Sequence, residues 1–320
     1  MHWPVLSLLS QDFRVVSLCN RTRAKAERLA DIIQEQAGVR PSIYEDYHRM
    51  LGCGEIDAAL LALPTSLNPE VAEAALSHGC HVIAEKPVAA SLSDANRMLP
   101  WPERYGRVLM IAENYRYIPA YRRAAGLIAE CAIGEPKIVR WSLRAYVGPD
   151  SPFYTPWRLR PEHLGGYLSD GGVHEAAVFR MLLGEVESVS GVVCSIRPDL
   201  PPSDTVSATL RFAGGALGTY AKTYALPGPD SPLEVAGEDG VLLVWQDKVQ
   251  LWRKGAKVQE WDEPLQYNGA VEMYKDFAQA VRSGMPPRST PAEALADLQL
   301  IAAILRSSET GKEVRVSEVQ

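Results

Sequence analysis

The sequence predicts an α/β half built on a doubly wound parallel sheet, followed by an α+β half built on an open antiparallel sheet. Three observations carry this reading. Up to about residue 113, short apolar runs alternate with amphipathic helical stretches; beyond it, strand-like segments alternate with period two; and glycine turns separate several of those later strands. A length of 320 residues leaves room for two domains, and they are expected at 1–118 and 119–320.

In chain order, FRVVSLC (13–19) reads as a buried strand and TRAKAERLADIIQEQ (22–36) as a helix with Ala26, Leu29, Ile32 and Ile33 on one face. IDAALLAL (56–63) is an apolar run of strand length, followed by a helix from Asn68 to His78. HVIAE (81–85), a helix from Ser91 to Leu99, and RVLMIAE (107–113) complete the series. Strands that are apolar throughout and separated by helices belong to a parallel sheet covered on both faces. A helix from Ala120 to Cys131 then leads to strands at 137–147, 187–197, 204–213, 216–224, 232–236, 241–245 and 248–252. Turns fall at AGG (213–215) and GEDG (237–240). Two helices close the chain, from Ala270 to Ser283 and from Pro291 to Ser308, the second with Thr290 as its cap. Seven strands with one or two helices to cover them leave a sheet face bare. A homodimer or homotetramer is therefore expected through that face, with Tyr220, Thr223 and Tyr224 contributing.

Hydrophobic residues at 47% and charged residues at 22% match an ordinary globular chain. A net charge of −6 has the wrong sign for holding nucleic acid or an anionic membrane, so neither partner is expected. Five cysteines, widely spaced and never in a C-x-x-C pair, support neither a disulfide framework nor a zinc knuckle. No bound metal is expected. The opening MHWPVLSLLS lacks a basic leader and a cleavage site, no stretch has the length of a membrane span, and a cytoplasmic protein is expected. The signatures of serine hydrolases, P-loop nucleotide hydrolases and zincins are absent from the sequence.

Three constellations could carry chemistry. Asn20, Arg21, Thr22 and Lys25 follow an early strand, where a doubly wound sheet meets the adenine ribose of a dinucleotide. An acid there selects NAD, whereas cations tolerate the 2′-phosphate of NADP. The same residues also suit a helix cap and its solvated face, and the loop alone favours that reading. Glu85-Lys86-Pro87 ends another strand at the ligand-binding edge of such a sheet, where a lysine can hold a substrate oxygen or simply be a solvated charge. Asp170 and His174 lie four apart in LSDGGVHEAAVF, which stacks them on one helix face as an acid/base pair. Asp170 as a helix cap and His174 as a buried core histidine are the alternative.

AEKPVAASLSDA, ENYRYIP and EHLGGYLSDGGVHEAAVFRMLLG together resemble the glucose-fructose oxidoreductase / inositol dehydrogenase / MocA family of NAD(P)-dependent oxidoreductases, in particular its NADP-using branch that has members in fungi. The resemblance implies a Rossmann domain and hydride transfer between NADP(H), with NAD as second choice, and a carbinol or carbonyl carbon of a small sugar or polyol. It implies Lys86 polarising the reacting oxygen, His174 moving the proton, and Asp170 orienting the sugar or the imidazole. It further places Pro64, Thr65, Asn68 and Glu85 along the nicotinamide half of the cofactor, and Tyr115, Arg116, Trp157, Arg158 and His163 near the substrate.

The family begins with a strand and a G-x-G-x-x-G/A turn. This sequence starts within the helix that should follow, and its Gly52-Cys53-Gly54 precedes a strand instead of following one. The chain is accordingly expected to lack about 15–25 N-terminal residues of a truncated Rossmann sheet, the alternative being a start at Met1 with another segment or a partner chain filling the gap. Two other functions fit the same residues: a cofactor-deficient, non-catalytic dimeric binding protein, and an NAD-assisted glycoside hydrolase.

Overall fold

The computed structural model describes residues 2–319. A short helix α1 (Trp3–Leu8) precedes strand β1 (Ser17–Cys19), helix α2 (Arg23–Ala37), β2 (Ser42–Tyr44) and α3 (Tyr47–Leu51). Next come β3 (Ala58–Leu61), α4 (Asn68–Ser77), β4 (His81–Ala84), α5 (Leu92–Met98), α6 (Trp101–Tyr105) and β5 (Leu109–Ile111). All pairings among these strands are parallel, with β1 on β2 and β3-β4-β5 as a separate set; the two sets share no strand pairing among the described residues.

The continuous apolar runs of β4 and β5 follow from burial on both faces. Val82, Ala84, Leu109 and Ile111 pack with α4, α5 and α6, while Ile83, Met110 and Ala112 pack with Val5, Leu9, Tyr274 and Phe277. The last two residues belong to α10 (Ala270–Ser283), which returns from the far end of the chain to cover the parallel sheet. Each fully buried Val or Ile in these strands stabilises the fold by roughly 1.5–3 kcal/mol.

Helix α2 corrects one face assignment. Its buried residues are Ala26, Ala30 and Ile33, spaced four and three apart; Ile32 is exposed and Leu29 only half-buried. The strand expected over 13–19 is limited to its last three residues.

Beyond helix α7 (Pro119–Ala129) lie β6 (Pro136–Arg144), α8 (Pro156–Leu159), α9 (Tyr167–Leu183), β7 (Val186–Cys194), β8 (Thr205–Phe212), β9 (Leu217–Thr223), β10 (Leu233–Gly237), β11 (Val241–Val244), β12 (Lys248–Arg253) and β13 (Ala256–Asp262). After α10 come α11 (Pro291–Thr310) and β14 (Val314–Arg315). These strands form one sheet in the order β13-β12-β11-β10-β6-β9-β8-β7-β14. The sheet is mixed, because β6 pairs with β9 in parallel while its other pairings are antiparallel. Strand β13 carries almost no buried residue and exists through a two-residue turn, Lys254-Gly255, both at positive φ, which pairs it with β12.

Helices α9 and α11 cover one face of this sheet. Tyr220 and Tyr224 point into that covered face and are buried, so they do not belong to a bare surface, whereas Thr223 alternates to the opposite face, where its hydroxyl meets that of Thr205 at 2.8 Å. The outward positions on β9 are Leu217 and Thr219. Thr290 caps α11 by accepting the Glu293 N–H at 3.2 Å, with Pro291 at the first turn.

Candidate functional site

The site forms where β4 and β5 end and α9 begins. The peptide after β4 is held from beneath by Asn68, whose side-chain amide donates to the carbonyls of Glu85 (2.8 Å) and Pro87 (3.3 Å). Asn68 is fully buried and shapes the lysine turn, while its Oδ1 has no partner among the described residues. Lys86 leaves this turn with its Nζ donating to the Asp170 Oδ1 at 2.9 Å and to the Asp170 carbonyl.

Asp170 is in the first turn of α9, which starts at Tyr167 because Gly165 and Gly166, both at positive φ, turn the chain into the helix. Its N–H already bonds the Gly166 carbonyl, so it is a helical residue and not the cap. Arg158 donates from Nε to the other Asp170 oxygen at 2.8 Å. Burial alone would raise the Asp170 carboxyl, yet Lys86 and Arg158 hold it far below the usual carboxylate range. Asp170 therefore fixes two cations side by side.

One turn further along α9, His174 does not bond Asp170. Its Nδ1 lies 2.6 Å from Oε1 of Glu113, the residue that follows β5 and its Ala112. Glu113 is buried, and burial would raise its carboxyl; the facing imidazole, the hydrogen bond with it, the Tyr115 N–H and Lys86 draw it below its ordinary value instead. The Tyr115 ring stacks on the imidazole at 4.3 Å between centroids and 16° between planes, and Gln246 donates to the Tyr115 hydroxyl at 2.9 Å. Among the described residues Nε2 of His174 has no hydrogen-bond partner, and the side chain stays 15% exposed. Beneath α9, Glu175 accepts from Lys222 (2.7 Å) and Tyr220 (3.0 Å) in a second buried cluster.

The structure thus gathers Lys86, Asp170, Arg158, His174 and Tyr115. Glu85 adjoins them, its carboxyl raised by burial and drawn back by Lys86 and His174. Trp157 is 40% exposed, with the Arg158 guanidinium 4.1 Å from its ring centre, and His163 sits on the Gly166 carbonyl at 3.2 Å. Arg116 is elsewhere. Its guanidinium donates to both oxygens of buried Asp297 at 2.9 and 2.7 Å, which removes it from the substrate group. Glu113, which the sequence reading does not single out, completes this cluster; a carboxylate just beyond the end of an apolar parallel strand is the signal that points to it.

A dinucleotide fits the residues at its two ends. At the C-terminal end of β1, Asn20 is engaged with the Thr22 N–H (2.8 Å), while Arg21 and Lys25 are exposed and meet no acid among the described residues, as an added phosphate requires. Pro64 is exposed and Thr65 buried at the end of β3. At the nicotinamide end, the second Glu113 oxygen is buried without a partner among the described residues, and Lys86 and His174 both act on the carboxyl of Glu85. No glycine turn links a parallel strand to its helix among the described residues. Nor do three His, Cys, Asp or Glu side chains converge there as a metal site.

Comparison with known proteins agrees with this geometry. Residues 1–113 match the oxidoreductase family with an NAD-binding Rossmann fold, and residues 121–243 match the GFO/IDH/MocA C-terminal domain. An oxidoreductase from Thermotoga maritima superposes with a TM-score of 0.92 at 34% identity, covering 100% of this chain and 95% of that one. A D-xylose 1-dehydrogenase (NADP(+)) of Haloferax volcanii is 27% identical over 317 residues, 96% of this chain and 93% of its own. A myo-inositol 2-dehydrogenase of Thermotoga maritima is 26% identical over 310 residues, 92% of this chain and 90% of its own. The Lys86 turn at a parallel strand end, the histidine delivered to it by α9 and the two domain matches lead to one conclusion: the chain belongs to the GFO/IDH/MocA family of NAD-binding oxidoreductases.

Proposed function

We propose that this protein interconverts a CH–OH carbon and a carbonyl in a small sugar or polyol, with NADP preferred over NAD. The observation that carries the reading is the pairing of a lysine ammonium with a carboxylate-backed imidazole at the edge of the parallel sheet. When bound, the dinucleotide accepts or supplies the hydride. The chain's own residues handle the oxygen. Lys86 donates to the reacting oxygen and stabilises negative charge as it develops there. His174 takes the hydroxyl proton at Nε2 during oxidation and returns it during reduction. Asp170 holds Lys86 and Arg158 so that both cations face one substrate.

The preference for NADP rests on exposed Arg21 and Lys25 where NAD enzymes carry an acid. It is also in keeping with the NADP(+)-dependent D-xylose dehydrogenase among the relatives. The test is the absorbance of reduced nicotinamide in mixtures of the protein with NADP or NAD and either D-xylose or myo-inositol. Reduction of NADP by one of these polyols is the expected result. No reduction of either cofactor, with no cofactor bound in a thermal-shift titration, would overturn the reading.

A further inference from the structure

Glu113 is a charged residue buried without access to solvent, and burying a carboxylate needs a compensating partner. It has two donors, both on Oε1: the Tyr115 N–H at 3.0 Å and the His174 Nδ1 at 2.6 Å. Oε2 has none. An ionised carboxylate only accepts, so the proton on this contact belongs to Nδ1 and the neutral ring presents a bare Nε2. Tyr115 closes one face of the same ring and is itself tethered by Gln246 from the large sheet. Edge and face of the imidazole are therefore both fixed by residues around the end of β5, while His174 itself comes from α9.

Building on the oxidoreductase reading above, we propose that Glu113 is the positioning residue of the reaction: it fixes His174 as the Nδ1–H tautomer and stabilises the imidazolium formed when Nε2 takes the substrate's hydroxyl proton. During oxidation the O–H bond breaks, its proton moves to Nε2, and the C–H electron pair leaves with the hydride to the dinucleotide. The Nδ1 proton stays on the ring, shared with the Glu113 oxygen. Asp170, although on the same helix as His174, plays no part in this relay, because both its oxygens are taken by Lys86 and Arg158. The site thus holds two separate carboxylates, Asp170 for the cations and Glu113 for the imidazole.

The test has a readout independent of turnover. With ¹⁵N-labelled histidine and a His174→Ala spectrum for assignment among the six histidines, the ring tautomer is read well above the ordinary imidazole value of about 6.5. Wild-type protein should show Nδ1–H at His174, and Glu113→Ala should revert to the Nε2–H form that free imidazole favours. In turnover of D-xylose with NADP, Glu113→Ala should lower kcat by about 10²-fold or more with KM little changed, as expected for lost acid/base alignment. Adding it to His174→Ala should cost nothing further. If Glu113→Ala fails to fold, Glu113→Gln, which keeps the volume and removes the charge, should still lower kcat by about tenfold. An Nε2–H tautomer in the wild type, or equal losses from Glu113→Ala with and without His174, would overturn the proposal. A Glu113-dependent tautomer in a protein that binds neither NADP nor NAD and reduces neither with D-xylose or myo-inositol would overturn the oxidoreductase reading and leave the positioning intact.

Discussion

Removing Asp297 tests how α9 is anchored. Asp297 on α11 is 1% exposed and receives Arg116 at 2.9 and 2.7 Å and Arg180 of α9 at 2.7 Å. The two arginine side chains are 7% and 6% exposed. In Asp297→Ala, Arg180 keeps Glu185 at 2.6 and 2.9 Å and Glu293 at 3.0 Å. Arg116 keeps only Glu293, at 3.2 Å and itself 40% exposed, and its Nε is already buried without a partner. Stranding a buried charge costs about 3–5 kcal/mol, and the partners left to Arg180 place this case near 3 kcal/mol. At roughly 2–4 °C per kcal/mol for a domain of this size, the melting temperature should fall by about 6–12 °C, read by circular dichroism. Adding Arg116→Met should recover part of the loss by removing the stranded cation. A fall of less than about 2 °C, or a further loss in the double variant, would refute the buried network and the anchoring drawn from it.

Two other changes test the site from its margins. In Gly171→Ala the new Cβ would stand 2.1 Å from the Tyr224 hydroxyl and 3.0 Å from Lys222 Nζ, an overpacking that should cost about 1–3 kcal/mol. Because that hydroxyl has no hydrogen bond, Tyr224→Phe in the same chain should restore most of the melting temperature; an unchanged melt of Gly171→Ala alone would show that α9 and β9 are not so closely packed. Arg21→Ala should weaken NADP binding by roughly ten- to a hundredfold and NAD binding little, the loss of one charge-assisted hydrogen bond. Equal losses measured by calorimetry for both cofactors would sink the proposed phosphate contact.

Local patterns were readable in the sequence, and contacts across the chain were not. The β4 run HVIA and the Lys86 turn after it were legible because a strand buried on both faces has no alternative to a continuous apolar run. The spacing of Asp170 and His174 places both on one helix, but it does not encode a partnership between them. The true partner of His174 is Glu113, 61 residues away, and nothing in either local pattern encodes that pairing. Arg116 misled for the same reason: its neighbour Tyr115 reaches the imidazole while Arg116 turns to Asp297, 181 residues on. Strand β13 escaped because AKVQEWD has almost no buried face, and its Lys254-Gly255 turn lacks the Asn or Asp that usually marks such hairpins.

The most direct test of the central claim is turnover and cofactor binding in Lys86→Ala, assayed with D-xylose and NADP beside His48→Ala, whose histidine is exposed on α3, outside the site. On the proposed role of Lys86, stabilising charge that develops only during reaction, turnover should fall by about 10²–10³-fold while the NADP dissociation constant stays near wild type and His48→Ala behaves as wild type. Turnover that survives in Lys86→Ala, or falls equally in His48→Ala, would contradict the assignment of this strand end as the active site.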